Sequence, residues 1–227
     1  MTPKSYEFEP ACRRMEWLDR FYKSVWEKAY QVAIPISGTF ELTPRCNFNC
    51  RMCYVHLDEK QIPWYGREMT GKEWIQTAHA AKEAGTVWLC VTGGEPLVHP
   101  DFPEIWKELT QMGFFITLQT NASLIQGDMA DLLAEYPPRA VKITLYGSND
   151  EVYEQVCRVK GGFSRVDRGI RTLRELKIPV QLISTVIRQN LEDVPSMAYY
   201  AYQNRLPWMA TGGVKATVRN PDSQSRM

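Results

Sequence analysis

Apolar positions along the chain change period in a regular order. Between residues 10 and 32, Met15, Leu18, Phe21, Tyr22, Val25, Trp26, Ala29 and Tyr30 recur three and four apart, which predicts an amphipathic helix covering an open edge or end of the main domain. Pro35 stops it, and Gly38 to Thr43 then reads as a short strand. Residues 57–71 are polar and carry Pro63, Gly66 and Gly71, the composition of a loop. A helix follows from Lys72 to Ala84, with Trp74, Ile75, Ala78 and Ala81 on one face and Gly85 at its end. Val87 to Val91 is a continuous apolar run bounded by glycines, as a strand covered on both faces requires.

The alternation continues to the end of the chain. Asp101, with Glu104 three residues on, predicts an N-cap for a helix carrying Phe102, Ile105, Trp106, Leu109 and Met112, and Gly113 ends it. Phe114 to Thr120 is the next strand. Ile125, Met129, Leu132 and Leu133 mark the next helix, which Pro137-Pro138 breaks. Val141, Ile143 and Leu145 alternate with Lys142, Thr144 and Tyr146 in a fourth strand. Helical spacing over 150–176 falls into two pieces around Gly161-Gly162, Pro179 to Ile187 is a fifth strand, and Val194, Met197, Ala198 and Ala201 share a helical face. A sixth strand should follow, but Leu206 to Met209 is short and Thr211-Gly212-Gly213 interrupts it, so the last strand reads as incomplete. No internal repeat is visible.

Repeated strand–helix order means an α/β fold of parallel strands joined by right-handed helical crossovers. The loops that follow the strands then open on one rim. Residues 46–53, 92–95, 120–121 and the end of the fourth strand are expected to converge there.

Composition adds boundaries. With 227 residues, 44% of them hydrophobic and 11% aromatic, the chain can build one sizeable core. Lysine and arginine number 27 against 26 acidic residues, and a net charge of +1 gives no electrostatic case for nucleic acid or an acidic membrane surface. No run of eighteen apolar residues occurs, and residues 1–14 lack the apolar stretch of a signal peptide. Cys12, Cys90 and Cys157 stand singly, which fits reduced thiols in the cytoplasm better than a disulfide framework.

The chemistry is concentrated in Cys46-Asn47-Phe48-Asn49-Cys50-Arg51-Met52-Cys53. Three thiols in eight residues are too close for disulfides among themselves and suit one metal centre. They can hold three irons of a 4Fe-4S cubane, leaving the fourth iron open to a non-protein ligand. With His56 they can also complete a Cys3His zinc tetrahedron.

The cysteine loop after strand one, Gly93-Gly94-Glu95-Pro96 after strand two and Thr120-Asn121 after strand three, in that order, resemble the radical S-adenosylmethionine (radical SAM) superfamily over roughly residues 38–210. The resemblance implies a partial (β/α)6 TIM-like barrel. Residues 1–37 are then an N-terminal helical extension, 38–218 the core domain and 219–227 a disordered tail. It implies that Cys46, Cys50 and Cys53 ligate the cluster and that the methionine portion of S-adenosylmethionine chelates the open iron. Gly93, Gly94 and Glu95 would hold the methionine amino group, through close backbone approach and a carboxylate partner for the ammonium. Met52 would face the adenine, Thr144 would stand where a ribose-contacting serine is found, and Thr120 and Asn121 would line the same pocket.

The implied activity is reductive cleavage of S-adenosylmethionine to a 5'-deoxyadenosyl radical that abstracts hydrogen from a peptide or small molecule. The electron would come from a donor such as a flavodoxin or ferredoxin. Trp88, Phe115 and Tyr146 would help line a dry chamber, and the loops at 57–70 and 147–165 would contact substrate. No cysteine follows Cys157, where many relatives carry auxiliary clusters, so a single cluster is expected. Two alternatives stand beside this reading: a zinc-stabilised binding module using His56, and an inactive, truncated core.

Overall fold

The computed structural model describes residues 16–213. The first helix, α1, spans Glu16–Gln31 and leads into β1 (Ser37–Glu41). After the cysteine loop come a single helical turn, α2 (Ile62–Tyr65), inside what reads as a loop, and then α3 (Gly71–Glu83) and β2 (Trp88–Thr92). The order continues through α4 (Phe102–Gln111), β3 (Phe115–Thr120), α5 (Asp128–Glu135) and β4 (Ala140–Thr144). It closes with α6 (Asp150–Cys157), α7 (Gly162–Glu175), β5 (Val180–Thr185), α8 (Val194–Gln203) and β6 (Trp208–Thr211). The tail expected over 219–227 and the outer ends of the first helix and core domain lie outside the described residues.

The six strands form one sheet in the order β1-β2-β3-β4-β5-β6, and every neighbouring pair is parallel. Because spatial order follows chain order, every crossover steps the same way. Right-handed crossovers therefore put the connecting helices on one face, and the sheet curls around the other into a partial barrel. The sixth strand does form, two residues beyond its expected start. Leu182 stands beside Trp208, and the Trp208 indole Nε1 donates to Ser184 Oγ at 2.8 Å.

Strand parity divides the molecule. Leu89, Val91, Ile116, Leu118, Val141, Ile143 and Leu182 are buried against the helical layer, where Ile105, Trp106, Leu109, Val166, Ile170 and Leu173 face them. The alternate positions, among them Cys90, Thr117, Gln119, Lys142, Thr144 and Gln181, turn to the concave side and are only partly buried. The apolar core is thus outside the barrel wall, and the interior is left polar for a ligand.

Helix α1 covers the end of the barrel where strands begin. Rings of Tyr22 and Trp26 lie 5.9 and 5.8 Å from Trp88, and Trp88 lies 6.1 Å from Phe115. This corrects the expectation that Trp88 and Phe115 line a catalytic chamber. They do point inward, but from the first residues of their strands, at the end opposite the cysteine loop. Asp101 is also reassigned. It makes no side-chain cap on its own helix, and its Oδ2 instead accepts the Gly71 N–H at 2.8 Å, tying the start of α3 to the start of α4.

Candidate functional site

Leu42 continues past β1 by donating its N–H to Thr92 O at 2.9 Å, so the cysteine loop leaves the sheet beside the end of β2. On one side its approach is pinned by Gly94 N to Thr43 O (2.7 Å) and Glu95 N to Arg45 O (2.8 Å). On the other it meets the C-terminal end of α6, where carbonyls lack helical partners. There Asn49 N donates to Cys157 O (3.1 Å) and Arg51 N to Val156 O (2.9 Å). Phe48 anchors the loop, buried with its ring edge-on to Tyr153 at 6.5 Å and the Arg165 guanidinium 5.4 Å from its centroid.

The thiols are already addressed by backbone donors. Phe48 N donates to Cys46 Sγ at 3.3 Å, and His56 N to Cys53 Sγ at 3.3 Å. Burial raises the Cys46 thiol pKa against the opposing pull of the Phe48 N–H. Cys50 is raised by a hydrogen bond with the Cys157 thiol and then by burial. Burial thus favours the protonated thiol at Cys46 and Cys50, and a metal that binds these two must release their protons. His56 Nδ1 lies 2.9 Å from Phe48 O. Among the described residues no three His, Cys, Asp or Glu side chains gather around a point as a single ion requires.

The turn after β2 is close-packed because it carries glycines. At Gly93 φ is +148°, and a Cβ there would stand 2.6 Å from Thr43 O. At Gly94 a Cβ would lie 2.8 Å from Pro44 O and closer still to Arg45 O. Glu95 is fully buried. Its Oε1 accepts from Thr120 Oγ1 (2.7 Å) and Leu97 N (3.1 Å), and its Oε2 from Asn121 N (2.8 Å). Burial pushes its carboxyl up to about 7 although these three donors pull it down.

These elements enclose a cavity of ≈ 320 Å³ at the C-terminal mouth of the barrel. Cys46, Cys50 and Cys53 line it with Met52 from the loop. Gly93, Gly94, Thr120, Asn121 and Thr144 line it from the strand ends, so the expected convergence is present. Glu95 does not line it and stands behind the turn with both carboxylate oxygens engaged. Gln119, Tyr146 and Thr185 join the wall from the concave face. Gln119 and Thr185 went unremarked in the sequence, although the same parity that turns Thr144 inward turns them inward too. The loops at 57–70 and 147–165 contribute no lining residue: Leu57, Ile62 and residues 65–69 line a separate hollow with Glu41 and Leu42, and the end of α6 is bonded to the cysteine loop. The site residues fit a cluster with an open iron: three thiols on one loop, two backbone N–H groups aimed at sulfur, and a glycine turn at the cavity edge.

Comparisons with known proteins identify the family. The AdoMet-dependent heme synthase of Methanosarcina barkeri is 30% identical over 155 residues, which is 68% of this chain and 44% of that protein. The PqqA peptide cyclase of Rhodopseudomonas palustris is 29% identical over 175 residues, 75% of this chain and 46% of the relative. Among solved structures, Streptococcus suis SuiB bound to the precursor peptide SuiA superposes with a TM-score of 0.67 at 18% identity, covering 86% of this chain and 44% of SuiB. The chain thus spans less than half the length of these relatives. SuiB has also been solved with S-adenosylmethionine, and the cofactors of the family are that compound and a 4Fe-4S cluster. The profile of the radical SAM superfamily matches residues 40–200, and the chain belongs to that superfamily.

Proposed function

We propose that this chain is the core of a radical SAM enzyme that acts on a peptide. The observation that carries the reading is the meeting of Cys46, Cys50 and Cys53 with Gly93-Gly94 and Thr120-Asn121 around one cavity at the mouth of a parallel barrel. Cys46, Cys50 and Cys53 hold the cluster. The chemistry supplied by the bound cluster and S-adenosylmethionine is reductive cleavage of the sulfonium carbon–sulfur bond to methionine and a 5'-deoxyadenosyl radical, which takes a hydrogen atom from the substrate.

The protein's own part is binding, orientation and exclusion of water. The N–H groups of Gly94 and Glu95 are spent on the cysteine-loop approach, so what the turn offers the methionine amino group is carbonyl oxygen at the cavity edge. Met52, buried and apolar, covers the adenine, and Thr144 contacts the ribose. Glu95 acts from behind, through Thr120 and Asn121. A one-electron carrier such as a flavodoxin or ferredoxin delivers the reducing equivalent. Free thiols in a reactive loop call for a reducing compartment, the cytoplasm. Among the described residues no helix is long and apolar enough to cross a membrane.

Peptide substrates are favoured by the names of the relatives, a peptide cyclase and an enzyme solved with its precursor peptide. The zinc alternative has less support, because it gives no reason for the glycine turn and buried Glu95 beside the thiols.

Anaerobic reconstitution tests the reading. The expected product is brown, holds about four irons per chain and forms 5'-deoxyadenosine with dithionite and S-adenosylmethionine. Cys50→Ala should lose the iron and keep the fold by circular dichroism. A colourless chain with one zinc would support the binding module, and iron without 5'-deoxyadenosine the inactive core.

A further inference from the structure

Three polar side chains close a ring between the cysteine loop and the end of β3. Asn47 Nδ2 donates to Ser123 Oγ (2.8 Å), Ser123 Oγ donates to Asn121 Oδ1 (2.6 Å), and Asn121 Nδ2 donates to Asn47 Oδ1 (2.8 Å). Ser123 N also donates to Asn121 Oδ1 at 2.9 Å. Ser123 Oγ both accepts and donates, and each amide is used through its nitrogen and its oxygen. Flipping either amide would set donor against donor, so the ring fixes both amide orientations.

The ring faces Cys46. The Asn121 Nδ2 group has a second hydrogen, and Cys46 Sγ lies 4.0 Å from that nitrogen. The same sulfur is 4.0 Å from Asn47 Oδ1. A thiol can donate to that oxygen, whereas a metal-bound thiolate can only accept, which leaves Asn121 as its side-chain partner, beside the Phe48 N–H at 3.3 Å. Behind the ring, Asn121 N is held by Glu95 and Ala122 carries a φ of +61°, in the left-handed region that a side chain disfavours. Ala122 is fully buried, and α7 approaches it so closely at Gly169 that an added Cβ would lie 3.0 Å from Ala122 C. The end of β3 is therefore braced on two sides before it touches the cysteine loop.

We infer that Asn47, Asn121 and Ser123 form a clasp that positions Cys46 and aims an amide N–H at its sulfur, raising the reduction potential of the cluster held there. This rests on the reading of Cys46 as a cluster ligand. An N–H directed at a ligating sulfur disperses its negative charge and favours the reduced, more negative cluster. Asn47 and Ser123 act through position alone, since neither supplies a donor to the sulfur.

The test uses the full chain reconstituted anaerobically with iron and sulfide, read by iron content, by reduction potential from an EPR-monitored titration, and by circular dichroism. Ser123→Ala and Asn47→Asp should fold, and each should show a lowered potential with an altered EPR signal, or a loss of iron. Ser123→Thr keeps the hydroxyl and should restore the wild-type potential. If Ser123→Ala does not fold, Asn47→Asp against Ser123→Thr decides, because the introduced carboxylate keeps the oxygen facing Asn121, loses the donor to Ser123 and adds charge beside Cys46. Wild-type iron content, potential and EPR signal in Asn47→Asp would overturn the clasp alone. A wild-type chain that takes up no iron would overturn the ligand reading and the clasp with it.

Discussion

Replacing Gly94 with alanine tests whether the glycine turn is a matter of space. A Cβ at this position would stand 2.8 Å from both Pro44 O and Arg45 C and nearer still to Arg45 O. All three are backbone atoms of the segment that delivers Cys46, so no side chain can rotate away. Restoring ordinary contact near 3.5 Å means parting the two backbones by at least about 0.7 Å. That movement loosens Gly94 N to Thr43 O and Glu95 N to Arg45 O, now 2.7 and 2.8 Å. Each bond contributes about 1 kcal/mol net, and overpacking a filled site costs about 1–3 kcal/mol, giving ~3–5 kcal/mol in all. Urea unfolding of the metal-free chain, followed by fluorescence of its 7 tryptophans, measures the loss. Gly38→Ala is the control, since its Cβ meets only side-chain carbons at 3.7 and 3.8 Å, and it should stay within about 1 kcal/mol of wild type. If Gly94→Ala cost less than about 1 kcal/mol and took up iron normally, close approach would not be what the turn requires.

Three further outcomes are expected. Glu95 titrates at about 7 in the folded chain against an ordinary value near 4.5, so the native state keeps a proton that the unfolded state releases between those values. The stability this contributes is fully present below 4.5 and is lost as pH rises through 7, a fall of up to ~3 kcal/mol. Glu95→Gln should remove that slope from urea midpoints of the metal-free chain at pH 5 and 8; equal slopes in both proteins would refute the assignment. Gly169→Ala should destabilise by about 1–3 kcal/mol through its contact with the Ala122 backbone, and a neutral change in thermal unfolding would contradict it. Thr70 and Glu73 form a capping box on α3, so Thr70→Ala should cost about 1 kcal/mol and leave iron content untouched.

Most of the architecture was legible because its causes are local. Apolar period, glycine stops and prolines act over a few residues, so the expected strands and helices are present among the described residues, displaced by up to three residues at the ends that lie within them. The short turn Ile62–Tyr65 was missed because four residues carry no period, and β6 was misplaced because an exposed edge strand has no buried face to mark it. The cysteine loop, the glycine turn and Thr120-Asn121 were each readable as contiguous words, and parallel topology predicted that they meet.

What the chain's order of residues could not express is which long-range partners each group would find. Asp101 could cap its own helix or one thirty residues upstream, and only packing of α3 on α4 selects the second. Trp88 and Tyr146 both turn inward, and strand register alone sends one to the closed end and the other to the cavity. Glu95 was legible as a carboxylate beside the thiols, but its direction depends on β2 and β3 ending level, which lets Thr120 and Asn121 claim both oxygens. Asn47 and Ser123, 76 residues apart, become partners for the same reason. Local sequence determines the elements and their chemistry. Register and packing decide which side chains reach the cofactors and which hold the others in place, because a hydrogen bond depends on fractions of an ångström that no spacing along the chain encodes.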